Sequence, residues 1–127
     1  MQNLQGANDI IDVNDFKKFI TEFVHERNWE QFQNPKNIAM ALTVEAAELL
    51  EIFQWLTAEE ATNIKNDAII KEKISHELAD IMIYLIRLAT QTEINLQNAI
   101  VEKMQINVQK YPADLVNGSS KKYSEYQ

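Results

Sequence analysis

The sequence predicts an all-α fold, and three observations carry that prediction. Only two glycines and two prolines occur in 127 residues, and both glycines lie near the ends, so the middle of the chain is almost free of helix-breaking residues. Apolar residues recur at i, i+3, i+4 and i+7 through successive segments, the period of one face of a helix. Most of these segments follow a side chain suited to capping a helix N-terminus. The expected architecture is a helical bundle of four main helices plus a short connecting helix. It forms a single domain over 1–127, with a core at about 12–112 and a C-terminal tail at 113–127.

The first helix is expected on the stripe Val13, Phe16, Phe19, Ile20, Phe23 and Val24, with Asp12 or Asn14 as its cap and an end near Arg27. After the link NWEQFQNP, Pro35 suits a first-turn position with Asn34 as cap, and the second helix is expected to reach about Leu56. Thr57 and Glu60 match a capping box that opens a short helix through TAEEATNIK. The third long helix should run from about Asp67 to Thr92. The fourth should run from an Asn95 cap to Lys110, ended by Tyr111-Pro112 because the residue before proline is pushed out of the helical region. The tail ADLVNGSSKKYSEYQ has no clear period and is expected to order only by docking. Short connections favour antiparallel neighbours.

Composition excludes several functions. A chain of this length buries roughly two-thirds of the surface that the open chain exposes, so a core is attainable without cross-links. There is no cysteine, which removes disulfides, thiolate metal sites and thiol nucleophiles and suits a reducing cytosol. A net charge of −7 is poorly suited to gripping a polyanion by counterion release, so no nucleic acid polymer is expected as partner. The N-terminal MQNLQGANDIIDVND lacks the basic-then-apolar order of a signal peptide. The longest apolar run, Ile81 to Ala89, is too short to span a bilayer and carries Arg87. A soluble cytoplasmic protein with no membrane partner is the expectation.

Two acidic pairs sit where apolar residues would be expected. Glu45 and Glu48 in VEAAELLEIFQW are one helical turn apart and point within about 60° of each other, with Ala41 and Ile52 in the same sector and Trp55 close beside. Glu77 and Asp80 in HELADIMIYLIRLA repeat the spacing, and Tyr84 stands to Glu77 as Ile52 stands to Glu45. Acids on amphipathic helices usually form salt bridges or a solvated edge. That explanation is strained for the first pair, because no Lys or Arg occurs between Lys36 and Lys65 to supply an i, i+4 partner. It is easier for the second pair, where Lys73 is spaced to reach Glu77 and His76 to reach Asp80.

If the two pairs face one another they need cations: two carboxylates roughly 5 Å apart at an effective dielectric of about 20 repel by about 3 kcal/mol. Hard oxygen ligands select Mg²⁺, with Mn²⁺ as a substitute, and Mg²⁺ commonly leaves room for water and substrate phosphates. Two rival metal motifs fit poorly. HELAD begins like the zinc-protease H-E-x-x-H, but position 80 is aspartate, and neither helix supplies the inward Glu-x-x-His of a di-iron bundle. There is no glycine-rich phosphate loop, so metal and side chains would have to hold any phosphates. Lys103, Asn107, Lys110 and Tyr111 recur at three- and four-residue spacing along the fourth helix, a polar stripe suited to that task or to plain solvation. Trp29, Phe32 and Trp55 flank the acidic helix, where each is core packing or a stacking surface for a base.

Taken together, E-A-A-E in the second helix, E-L-A-D in the third and K-M-Q-I-N-V-Q-K-Y-P closing the fourth resemble the MazG-like all-α nucleoside triphosphate pyrophosphohydrolases. RNWEQFQNPKNIAMAL, FQW and the GSSKKY tail are most similar to the dCTP pyrophosphatase branch. The resemblance runs from about Phe16 to Tyr123. It implies hydrolysis of a dNTP between the α- and β-phosphates, in nucleotide-pool sanitising, with Glu45, Glu48, Glu77 and Asp80 binding Mg²⁺ and serving catalysis. It further implies Trp29, Asn37, Trp55 and Tyr84 as base or sugar contacts, Lys103, Asn107, Lys110 and Tyr111 near the triphosphate, and a tetramer built as a dimer of dimers. Where the branch has a histidine nine residues before the tryptophan, this chain has Ile20, so the resemblance bears on the reaction more than on the base, and dUTP or dATP remain alternatives. The competing reading from another class is a non-catalytic helical interaction module whose acids bind a basic partner.

Overall fold

The computed structural model describes residues 10–126, the side chains of residues 123 and 126 excepted. The first nine residues of the expected domain, with Gly6, and Gln127 lie outside the described residues. All four expected long helices and the connecting helix are present, and no strand occurs among the described residues. No helix among them is long and apolar enough to cross a membrane. The chain divides into two compact units at Glu93 and Ile94.

In the first unit, α1 (Val13–Glu26) is capped by Asp12, whose carboxylate accepts the backbone N–H groups of Asn14 and Asp15; Asn14 itself lies inside the helix. Its exit shapes the link that follows. Asn28 adopts φ 52°, a left-handed conformation that asparagine tolerates better than most residues. This lets the Trp29 N–H bond back to the Val24 carbonyl at 3.1 Å and the Asn28 N–H to that of His25 at 2.9 Å. These are the paired bonds of a Schellman motif. The Trp29 ring is thereby set edge-on against Phe23, centroids 5.8 Å apart. A 3-10 turn over Glu30–Phe32, not expected from the sequence, completes the link.

Helix α2 (Pro35–Phe53) starts as predicted, with the Asn34 side chain accepting the Asn37 N–H at 2.9 Å. It ends three residues before the expected Leu56, because Thr57 must be extended (ψ 164°) to cap α3 (Ala58–Thr62). Thr57 Oγ1 accepts the Glu60 N–H at 3.1 Å and donates to Glu60 Oε1 at 3.0 Å, so the box closes through the hydroxyl. The short helix stops at Asn63 rather than continuing to Lys65. There the Asn63 amide and backbone N–H both turn back to the Glu59 carbonyl, and a 3-10 turn over Ile64–Asn66 follows. Asp67 caps α4 (Ala68–Gln91), accepting the N–H groups of Ile69 and Ile70.

Helices α2 and α4 form the main seam of this unit, and α1 packs on α4. Three meeting points give the register. Gln33, just before α2, is held by Arg87 and Gln91; Glu45 and Glu48 meet Glu77; Glu51 and Ile52 share a groove with Lys73 and His76. Rising numbers on α2 meet falling numbers on α4, so the helices are antiparallel. The buried apolar residues, Ile20 and Val24 of α1, Ile38 of α2 and Ile86 and Ala89 of α4, all lie toward the Gln33 end. Burying a side chain such as Ile38 or Ile86 contributes about 1.5–3 kcal/mol. The same end fixes the link: Arg87 Nε donates to Gln33 Oε1 at 2.9 Å, Gln91 Nε2 to the Gln33 carbonyl at 2.8 Å, and Asn37 Nδ2 to the Phe32 carbonyl at 3.0 Å.

The second unit holds α5 (Leu96–Lys110), with the Asn95 side chain capping the Asn98 N–H at 3.0 Å and Tyr111 closing its last turn. The following segment is not without structure, as its lack of period suggested. It forms α6 (Ala113–Val116) and a 3-10 turn over Tyr123–Tyr126. Bonds from the Leu115 and Val116 N–H groups to the Pro112 carbonyl build α6 from purely local contacts.

Candidate metal centre

The middle of the α2–α4 seam, about three turns from its Gln33 end, is acidic where that end is apolar. Carboxylate oxygens from Glu45, Glu48 and Glu77 all lie within 4.8 Å of one another. Glu45 and Glu77 are half-buried and Glu48 is exposed. The fourth expected residue, Asp80, is exposed and stands outside this trio, although its charge acts on both Glu45 and Tyr84. The seam therefore brings three of the four acids together and keeps the fourth one turn along α4.

Among the described residues, neither Lys73 nor His76 forms an ion pair with Glu77 or Asp80, so the salt-bridge explanation of the second pair is not realised. Glu45 Oε2 and Glu77 Oε2 are buried without a hydrogen-bond partner. Burial pushes the Glu45 carboxyl up to about 7, reinforced by its hydrogen bond with Glu77 and by the charges of Glu48 and Asp80.

The donor set has the size and chemistry of a site for a hard divalent ion. Bond lengths of about 2.0–2.1 Å for Mg²⁺, or 2.3–2.6 Å for Ca²⁺, place opposite ligands about 4–5 Å apart, and the trio lies within this span. All three donors are oxygens, and two inward-facing ones have no other partner. The residues fit such an ion, which would take the place of the proton on Glu45.

The other expected site residues differ in exposure and in the contacts that they make. Tyr84 is half-buried beside it, its hydroxyl held above the usual range by burial and then by the charges of Glu45 and Asp80. Asn37 is exposed and spends its amide on Phe32, steadying the aromatic link. Trp29 is partly exposed on its Phe23 support, whereas Trp55, beyond the end of α2, is 86% exposed. Lys103, Asn107, Lys110 and Tyr111 lie at the C-terminal end of α5 in the second unit, with Asn107 half-buried and the Tyr111 N–H on the Asn107 carbonyl at 2.9 Å. Two features escaped the sequence reading. One is a groove of about 450 Å³ next to the acids, lined by Glu48, Glu51, Ile52, Lys73, His76 and Glu77. The other is the buried Arg87 with Gln33 and Gln91; its one signal was a lone charge inside the longest apolar run.

An all-α scaffold presenting clustered carboxylates from two antiparallel helices defines a class of divalent-metal sites, and comparison narrows it. Residues 40–126 match the MazG-like family, and the chain belongs to that family. It is 40% identical over 111 residues to dCTP pyrophosphatase 1 of Homo sapiens and 40% identical over 115 residues to that of Rattus norvegicus, covering 87% of this chain in each case. The matched region is 65% of the length of these relatives, so the chain spans about two-thirds of them. A crystal structure of a pyrophosphatase from Archaeoglobus fulgidus superposes with a TM-score of 0.72 at 34% identity, covering 85% of this chain and 99% of that one.

Proposed function

We propose that this protein is a Mg²⁺-dependent nucleoside triphosphate pyrophosphohydrolase. It would cleave dCTP or a related or modified dNTP between the α- and β-phosphates, yielding the monophosphate and pyrophosphate. The observation that carries the reading is the convergence of Glu45, Glu48 and Glu77 from two helices, with buried oxygens left unpartnered and no basic side chain paired with them among the described residues. The names of the human and rat relatives and of the archaeal structure support the reaction class.

On this reading Glu45, Glu48 and Glu77, with Asp80 one turn away, hold Mg²⁺, for which Mn²⁺ can substitute. The ion supplies Lewis-acid polarisation of phosphoryl oxygens and lowers the pKa of attacking water. The chain's own residues do the rest. Glu45, whose carboxyl titrates about 7, gives up its proton as the charge of the site is satisfied. Tyr84 presents its hydroxyl beside the acids, and Trp29 offers a partly exposed ring for a base or sugar. Asn37 stands beside that link, Trp55 extends from the end of α2, and the α5 stripe of Lys103, Asn107, Lys110 and Tyr111 serves the phosphates. Ile20, which stands where the dCTP branch has histidine, is buried, so it provides no polar contact to a cytosine.

The whole of 1–127 acts as one pyrophosphohydrolase domain on the cytoplasmic nucleotide pool. The assembly is a homotetramer, a dimer of dimers. Its support is the apolar surface left on the two seam helices, where Met40, Val44 and Leu50 of α2 and Leu78 and Ile83 of α4 are exposed. The test is a panel of dNTPs with Mg²⁺, assayed for pyrophosphate. The parent releases pyrophosphate, and Glu48→Gln and Asp80→Asn release little; variants as active as the parent would reassign the site.

A further inference from the structure

We propose that Lys73 and His76 form the subsite that receives the leaving pyrophosphate, and so fix the direction in which a nucleotide lies along the seam. This rests on the pyrophosphohydrolase reading above. Three features of the first unit carry it.

The first is order along the seam. The antiparallel register places the Trp29 link at one end, beside Gln33 and Arg87, the carboxylate trio in the middle, and the groove at the other end. A nucleotide whose base lies toward Trp29 and Tyr84 and whose α-phosphate lies at the trio extends its β- and γ-phosphates into the groove. The groove, about 450 Å³, is of the size of small-molecule sites.

The second feature is charge. Helix α2 contributes Glu48, Glu51 and Ile52 to the groove, and α4 contributes Glu77 with Lys73 and His76. An acid-lined groove repels a polyphosphate unless donors stand within it, and these are the two basic residues that line it. Lys73 and His76 lie four residues and one residue before Glu77, on the same stretch of α4.

The third is availability. Among the described residues neither side chain has an ion-pair or hydrogen-bond partner, although several carboxylates are close by in sequence and in the groove. The lysine ammonium offers three N–H donors, and the imidazole offers at least one whichever nitrogen carries the proton.

In the reaction, the oxygen of water bonds to the α-phosphorus and a water proton passes to solvent. The bond from that phosphorus to the α–β bridging oxygen breaks, and its electron pair remains on the bridging oxygen, which departs as part of pyrophosphate. Lys73 and His76 donate hydrogen bonds to the phosphoryl oxygens of that leaving group.

The experiment compares the parent with Lys73→Ala, Lys73→Arg and His76→Asn. It uses steady-state kinetics on the best dNTP of the panel, with product inhibition by pyrophosphate and, separately, by the matching monophosphate. Lys73→Ala is expected to raise the inhibition constant for pyrophosphate and the KM about tenfold, the loss of one charged hydrogen bond, while inhibition by the monophosphate changes less than twofold. His76→Asn gives a smaller change of the same kind, and Lys73→Arg, which keeps the charge, loses less than Lys73→Ala. Unchanged pyrophosphate inhibition in Lys73→Ala, or an equal loss for both products, overturns the proposal. Calorimetric titration of parent and Lys73→Ala with Mg²⁺-pyrophosphate separates this from the parent reading. A parent that cleaves no dNTP ends that reading, whereas the subsite fails if both proteins bind pyrophosphate alike and stands if only the parent binds it.

Discussion

The α2–α4 seam buries polar groups twice, and the two places treat them in opposite ways. At the Gln33 end, Arg87 is only 7% exposed, yet its Nε meets Gln33 Oε1, and Gln91 holds the Gln33 carbonyl. A buried donor with a partner costs little and fixes geometry. About three turns along the seam, Glu45 and Glu77 each bury an oxygen that has no hydrogen-bond partner among the described residues, and like charges stand together. The first cluster pairs its charged group, with Gln91 Oε1 left unpartnered among the described residues, and steadies the fold; the second crowds carboxylates whose buried oxygens have no partner there, which is destabilising unless something from outside arrives. That contrast supports the proposed metal site beyond the acidity of the sequence, because the buried charge of Arg87 is paired and the clustered carboxylates are not.

Substitutions should therefore act with opposite signs at the two ends. The largest effect is on activity: Glu48→Gln or Glu77→Gln is expected to lower dNTP turnover at least about a hundredfold, since even changes to groups that only support metal ligands cost 10–100-fold. Next comes stability at the core end. Ile38→Ala, at a site 1% exposed, should cost about 2–5 kcal/mol in chemical denaturation. Arg87→Ala should cost about 1–3 kcal/mol by leaving Gln33 Oε1 without its donor.

The acid end should do the reverse. The folded Glu45 carboxyl titrates about 7 against an ordinary value of 4.5, so the folded chain binds the extra proton between these limits. Its stabilising contribution is full below 4.5 and is lost as pH rises through about 7. Without divalent ions, melting temperature should thus fall from pH 5.5 to pH 8, and Glu45→Gln should flatten that slope and raise stability at pH 8. Added Mg²⁺ should stabilise the parent more at pH 8 than at pH 5.5, because it competes with the proton. The smallest effect is expected at Asn34→Ala, about 1 kcal/mol for a lost helix cap that belongs to neither cluster.

Much of this was legible in the sequence because local chemistry decided it. Asp12, Asn34, Thr57 and Asn95 cap the helices they were expected to cap, and Glu45, Glu48 and Glu77, read from their spacing on apolar backgrounds as facing acids, come together. What remained hidden depends on geometry between segments or on backbone conformation. Asn28 ends α1 in a left-handed conformation that glycine would have advertised. Arg87 in an apolar run gave no sign of its partner 54 residues away. Lys73 and His76 looked like salt-bridge partners by spacing, and only the placement of their side chains shows the pairs unformed and the groove open between them. Asp80 matches the pattern of its helix yet stands outside the trio, since equal spacing on two helices does not make all four ends meet.

Titration with Mn²⁺ at pH 8, followed by the electron paramagnetic resonance of the free ion, interrogates the seam without reference to substrate. The parent should remove Mn²⁺ from solution, Mg²⁺ should compete for the same site, and a Glu45→Gln, Glu77→Gln double variant should lose that binding while remaining folded. Equal Mn²⁺ uptake by the folded double variant would contradict the assignment of these carboxylates as the ion's ligands.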